Sequence, residues 1–181
     1  MRGSYNATLS WIGIFTVVLG FGTAAAQGVP RANEQDAVSQ LAMSNMAAIQ
    51  LAHLATEKAQ DADVQKFAKS ALDGRLKAQK QLADAASGAG VKWPTKLDDK
   101  YRQVQERLSK LSNEKFDREF MKVTIEQDRD FERTLAARAN EGSNSAPLAA
   151  NVNQWAAKTL PDIQAHLKEA EQVSGRLQKA E

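Results

Sequence analysis

Residues 64–85, VQKFAKSALDGRLKAQKQLADA, decide the fold, because their apolar side chains recur at alternating steps of three and four. Steps of this size place side chains on one face of an α-helix, which is then buried against other helices. The face comprises Val64, Phe67 or Ala68, Ala71, Arg75, Ala78, Leu82 and Ala85. Arg75 is the exception, since it brings a charge to the middle of a face that is otherwise apolar.

The rest of the chain also favours α-helix, because it is rich in Ala, Gln, Lys, Glu and Leu. Asn33 and Thr95 are the predicted N-caps of the first and third helices, and Pro161 is expected to kink or split the last. The predicted helices cover about residues 33–60, 61–87, 95–111, 113–140 and 147–177. Four of them are long, and the connections between the helices are short, so we predict an all-α antiparallel four-helix bundle. The short helix is an extra element between the second and third long helices.

The N-terminal residues have the order of a secretory signal peptide. Arg2 precedes an apolar run at 11–21, and small residues follow at 24–26. This run is shorter than the roughly 20 apolar residues that a membrane-spanning helix needs. The predicted organisation is a signal peptide at 1–26, a linker at 27–36 and a helical bundle domain at 37–177. We therefore expect a periplasmic or secreted protein, and the alternative is a retained N-terminal segment that anchors it to the membrane.

Composition excludes several classes of function. The chain has 24 basic and 22 acidic residues, so its net charge of +2 gives it no electrostatic reason to bind nucleic acid. It has no cysteine, which removes disulfides, thiolate metal sites and cysteine nucleophiles. A nucleophile elbow, a P-loop and a glycine-rich dinucleotide motif are all missing from the sequence. We expect no catalytic residue and no enzymatic activity.

The other long predicted helices also have an unusual residue near the middle of the buried face. Asp128 lies on the buried face of the third long helix, His166 on that of the fourth, and the small Ala48 on that of the first. Each lies within about four residues, or roughly 6 Å, of a helix midpoint. Because antiparallel helices bring their midpoints together, we expect one layer near the bundle centre. Its members are Ala48, Arg75, Asp128 and His166.

Within this layer, Arg75 and Asp128 are expected to form an ion pair. A buried charge without a partner is costly, and a guanidinium group can bind both oxygens of a carboxylate. His166 is placed to hydrogen-bond the remaining side of Asp128. The alternative is a small rotation of the helices, which would let the Arg75 guanidinium reach solvent while its stem stays in the core.

Four segments resemble a bacterial family catalogued as domain-of-unknown-function family 4142, whose members are exported, ferritin-like four-helix proteins often labelled membrane proteins. The segments are AIQLAHLATEKAQDADVQKFAKSALDGRLKAQKQL (48–82), GVKWPTKL (90–97), KFDREFMKVTIEQDRDF (115–131) and WAAKTLPDIQAHLKEA (155–170). They occur in the family's order, and the resemblance covers residues from about 37 to 175. It implies the same helical bundle, in the ferritin-like form.

The resemblance also implies an interior set of polar residues that this chain has largely lost. The family pattern has Glu, Asp-His and His where this chain has Ala48, Gly74-Arg75 and Asp128, and it shares His166. In those relatives the Glu and the histidines resemble a metal site. No metal or cofactor is expected here, since the Arg75 cation would repel a divalent ion. The alternative is a metal or haem site that uses His166 and Asp128.

The sequence thus favours an exported, non-enzymatic bundle that is structural, stress-associated or partner-binding in the bacterial envelope. Its central layer would be the remnant of a metal-like site. The alternative is a metal- or haem-binding, redox-active bundle. A protein partner of unknown identity is compatible with the chain, and membrane contact is expected only if the N-terminal segment is retained.

Overall fold

Five α-helices form the part of the chain that the computed structural model describes, which is residues 32–142 and 146–179. They are α1 (Ala32–Lys58), α2 (Ala62–Ala85), α3 (Asp99–Ser109), α4 (Asn113–Glu141) and α5 (Pro147–Lys179). These residues contain no β-strand, so the all-α prediction is confirmed. The predicted signal peptide, and the predicted linker as far as residue 31, lie outside the described residues.

Local side-chain chemistry sets several helix ends. Asp61 caps α2, because its carboxylate accepts two backbone N–H groups of the first turn. Asp98 caps α3 by accepting the backbone N–H group of Tyr101, so the predicted cap at Thr95 is wrong by three residues. Asn33 lies inside α1 and cannot be its cap.

The predicted split at Pro161 does not occur, since α5 continues through this residue. Proline removes one backbone donor and leaves the carbonyl of the residue four positions earlier without its helical partner. Here that residue is Ala157, and both Ala157 and Pro161 are exposed to solvent. Water can therefore take the place of the missing donor, and the helix persists.

Contacts at the helix ends fix the directions of the long helices. Each consecutive pair, α1 with α2 and α4 with α5, packs together, and α1 also packs on α4 while α2 packs on α5. Glu34, near the start of α1, pairs with Arg138, near the end of α4. Asp63, at the start of α2, pairs with Arg176, near the end of α5. Short connections join α1 to α2 and α4 to α5, and they reverse the chain direction as well. All four packed pairs are therefore antiparallel, and α3 lies against α1 and α4.

The apolar core has two parts, with polar side chains between them. One part contains the aromatic residues Phe67, Phe116 and Phe120. The other contains Phe131 and Trp155. Along α2 the change from one part to the other occurs between Ala71 and Ala78, and Arg75 lies between these two alanines. A charge therefore lies at the level where the two apolar clusters meet.

Among the described helices, none combines the length and the apolar character that crossing a membrane requires.

Candidate functional site: a buried ion pair

The most unusual site in the described residues is an ion pair between α2 and α4. The Nη2 atom of Arg75 donates a hydrogen bond to Oδ1 of Asp128. Each residue exposes only 3% of its surface to solvent. The Arg75 guanidinium is therefore almost entirely shielded from bulk solvent, and the two opposite charges that the helix faces predicted lie together inside the molecule.

An asparagine from α1 completes the surroundings of Arg75. Asn45 is fully buried and donates through Nδ2 to the Arg75 carbonyl oxygen at 2.9 Å and to Oε1 of Gln79 at 2.9 Å. Its own Oδ1 accepts a longer hydrogen bond, 3.4 Å, from Nη1 of Arg75. The Arg75 Cζ atom also lies 4.6 Å from the centre of the Phe131 ring, a favourable cation–π distance. Side chains from two other helices, α1 and α4, thus hold the guanidinium in place.

Burial and charge act in opposite directions on Asp128. Removal from water is the larger influence and raises the pKa of this carboxyl above its ordinary value of 3.8. The positive charge and hydrogen bond of Arg75 lower the pKa, and His166 adds a smaller lowering effect. The pair thus consists of two groups that lose much hydration and recover part of it from each other.

His166 approaches this layer from α5 but does not join the hydrogen bonding. Its Nδ1 atom is buried and has no hydrogen-bond partner in the described residues, so the predicted hydrogen bond to Asp128 is wrong. The ring lies edge-on to Phe67, with 6.4 Å between centroids. It also lies against the backbone of α2 at Gly74, where an added Cβ atom would be only 2.6 Å from Cε1 of the imidazole. Gly74 makes this close approach possible.

Ala48 lies beside the ion pair but is less buried than the sequence predicted. The buried face of α1 is centred next to Ala48 and not on it, and its residues include Val38, Leu41, Ala42, Asn45, Leu51 and Ala55. Ala48 is only partly buried, although it lines a small cavity with Arg75 and Asp128. The polar residue that α1 adds to the layer is Asn45, which sequence reasoning missed.

A second buried carboxylate, Asp117, lies near the start of α4. It is 1% exposed and accepts backbone N–H groups of Gln60 and Asp61 from the turn between α1 and α2, at 2.8 to 3.2 Å. Its position relative to Met121 was the available signal. The buried face of α4 continues one turn back from Met121 and reaches Asp117.

A cleft opens beside the ion pair, between α1, α3 and α4. Its volume is about 410 Å³, and Arg75 contributes to its lining. Ser44 and Ala48 of α1 line the cleft, since both are only partly buried. Tyr101 of α3 joins the wall, and its hydroxyl forms a 2.8 Å hydrogen bond with the Ser44 hydroxyl.

Comparison with known proteins identifies a family. The family described as domain of unknown function (DUF4142) matches residues 21–173. The chain belongs to this family. This confirms the resemblance found in the four sequence segments. No curated protein and no solved structure matches the chain.

The structure shows which contacts this DUF4142 member makes at the positions of the predicted layer. Arg75 and Asp128 pair with each other, and Ala48 leaves space above them. At position 74 any side chain would collide with His166 in its present position, so Gly74 and His166 are coupled.

Metal-ligating side chains are not grouped in the described part of this family member. Within residues 32–142 and 146–179, no three His, Asp or Glu residues are arranged to hold a metal ion. Asp128 and His166 are near each other, but the former is bonded to a cation. His53 lies away from the layer, with a side chain that is 63% exposed and 3.5 Å from Glu57. The arrangement around Asp128 can neutralise charge and fix the relative positions of helices.

Proposed function

We propose that this DUF4142 protein is an exported, non-enzymatic, ferritin-like four-helix bundle with a structural, stress-associated or partner-binding role in the periplasm or another part of the bacterial envelope. The antiparallel contacts of α1, α2, α4 and α5 support the bundle form. The signal-peptide pattern at 1–26 supports export.

The observation that carries the non-enzymatic part is the ion pair at the centre. Divalent metals in helical bundles are held by carboxylates and neutral imidazoles that project inward from facing helices. Here the inward group on α2 is the Arg75 cation, which is committed to Asp128. A divalent ion at this level would have to displace a buried hydrogen-bonded pair and then face the released guanidinium.

One observation favours the alternative, a metal or haem site that uses His166 and Asp128. The Nδ1 atom of His166 is buried without a partner, and such atoms are rare unless they have an unseen ligand. These two residues supply fewer ligands than the four of a closed structural zinc site. The site would therefore need a contribution from water, from haem or from a second molecule.

Elemental analysis and absorbance of the purified protein, prepared without a histidine tag, test the two functions against each other. We expect neither stoichiometric metal nor a Soret band. Stoichiometric metal or haem that is lost in His166→Ala, but kept in the exposed control His53→Ala, would overturn the non-enzymatic assignment and establish the alternative.

Mass spectrometry of the protein from a bacterial envelope fraction tests the export part. The expected mature chain begins at Gln27, directly after the small residues at 24–26. A chain that keeps Met1 and partitions with membranes would instead indicate a tethered domain, and a chain found only in the cytoplasm would contradict export.

A further inference from the structure

The cleft beside the ion pair has the size and lining of a small-molecule site. We propose that it binds a small aromatic carboxylate, with the carboxylate group directed to Arg75 and Lys100 and the ring against Tyr101 and Phe131. This inference goes beyond the proposed function, because it concerns a ligand on the outer side of the layer and involves no metal.

The dimensions fit such a ligand. The cleft volume of about 410 Å³ lies within the range of pockets that hold small organic molecules, which is about 300 to 1,000 Å³. Small side chains on α1, among them Ala37 and Ala48, keep it open. The hydrogen bond between Tyr101 and Ser44 attaches α3 to α1, so the third wall is already in place. Little reorganisation is needed for binding, which preserves affinity.

The floor of the cleft offers hydrogen-bond donors. Arg75 has five N–H donors, and in the described residues its side chain bonds only to Asp128 and Asn45. Ala48, Arg75 and Gln127 line both the cleft and a small cavity of about 10 Å³ beside Asp128. A carboxylate seated over the methyl group of Ala48 would therefore reach donors of Arg75 that Asp128 does not use.

The wall that α3 contributes carries one cation without an ion-pair partner in the described part of the chain. Arg107 and Arg138, which also line the cleft, form ion pairs with Glu119 and Glu34. Lys100 has no ion-pair partner among the described residues, and its Nζ lies 5.1 Å from the centre of the Tyr101 ring. This ammonium group is the available counter-charge for a ligand carboxylate.

The opposite wall carries an acid that works against the same ligand. Asp130 is paired with Arg133, whereas Glu126 has no ion-pair partner among the described residues. A carboxylate ligand bound in the cleft is repelled by Glu126. Removal of the Glu126 charge should therefore strengthen binding, whereas removal of the Lys100 charge should weaken it.

Titration calorimetry with benzoate, and with benzamide as its neutral isostere, tests the proposal. We expect benzoate to bind at millimolar concentration or below and benzamide to bind more weakly. Lys100→Gln should weaken benzoate binding roughly three- to fivefold, as loss of one exposed charge contact does. Lys96→Gln, an exposed lysine outside the cleft, is the matched control and should change nothing.

Two further variants complete the test. Glu126→Gln should tighten benzoate binding, and Ala48→Leu should abolish it by filling the floor, with an unchanged circular dichroism spectrum as the check on folding. Equal binding of benzoate and benzamide, equal effects of the two lysine variants, or no benzoate binding at all would overturn the proposal. None of these results depends on metal content or export, so the proposed function can fail separately.

Discussion

Asp117 and Asp128 are two buried carboxylates on the same face of α4, eleven residues or about three helical turns apart. They are satisfied in different ways. Asp117 accepts backbone N–H groups from the turn before α2, whereas Asp128 bonds to the guanidinium of Arg75. For each carboxyl, burial is the largest influence on the pKa and raises it above 3.8.

The two carboxylates differ in the groups that would lose a partner if each carboxylate were removed. Without Asp117, neutral N–H groups of the backbone lose an acceptor, and water near the turn can replace it. Without Asp128, a buried cation loses its counter-charge, which is much more costly. The first carboxylate therefore holds a turn, and the second makes the charge on α2 tolerable.

Asp128→Ala should have the largest effect on stability, a loss of about 3 to 5 kcal/mol in the free energy of unfolding, because Arg75 is left buried and alone. Chemical denaturation measures it. Glu171→Ala is the matched control, since it breaks the exposed pair with Arg129 and should cost below about 1 kcal/mol.

The double variant Arg75→Met with Asp128→Leu should recover most of that loss, because a buried pair contributes little net stability relative to apolar side chains of similar size. A cost below about 1 kcal/mol for Asp128→Ala alone would show that the pair is hydrated in solution, and the contrast with Asp117 would disappear.

Asp117→Ala should cost less, about 1 to 3 kcal/mol, since it leaves the backbone N–H groups of Gln60 and Asp61 without an acceptor. Glu114→Ala, which alters an exposed carboxylate at the start of the same helix, is the control. A loss as large as that of Asp128→Ala would mean that the turn between α1 and α2 is as critical as the central ion pair.

Gly74→Ala should destabilise the protein by about 1 to 2 kcal/mol, because the new Cβ atom displaces the His166 ring from its place against α2. Gly175→Ala is a matched control in α5, where an added Cβ meets nothing within 4 Å, and should instead stabilise by up to about 1 kcal/mol. His166→Ala in the Gly74→Ala background should relieve the clash. If both glycine variants stabilise equally, the coupling between Gly74 and His166 is wrong.

The features that follow from one helix face could be predicted from the sequence. Arg75 and Asp128 each lie on a strongly periodic face, so periodicity brought them to the interior and charge paired them. The burial of Ala48 was overestimated because α1 is rich in small residues. Its alanines lie on several sides of the helix and give only a weak indication of which face is buried.

The features that depend on close approach between helices could not be predicted. The contact between Gly74 and His166 depends on how closely α2 and α5 approach each other. A glycine within a helix does not indicate, from the sequence alone, which residue of another helix will lie against it. The cleft likewise depends on how α3 lies against α1 and α4, which the cap and periodicity of α3 leave open.

The pH dependence of stability is the smallest expected effect. It shows whether burial or the backbone hydrogen bonds have the larger influence on the pKa of Asp117. Its pKa in the folded protein is raised above 3.8, so in the interval between 3.8 and the raised pKa the folded state binds more protons than the unfolded state. Stability from this group is therefore greatest on the acidic side and falls as pH rises through the interval. Asp117→Asn cannot titrate, and Asp128 is present in both proteins.

The difference in unfolding free energy between the wild type and Asp117→Asn should thus decrease as pH increases, in denaturation curves recorded from about pH 4 upward. An increase would show that the backbone N–H groups of Gln60 and Asp61 outweigh burial and lower the pKa instead. In that case the backbone would stabilise the charged form of Asp117 by more than burial disfavours it, and the two carboxylates would differ in the direction of their pKa shifts as well as in their partners.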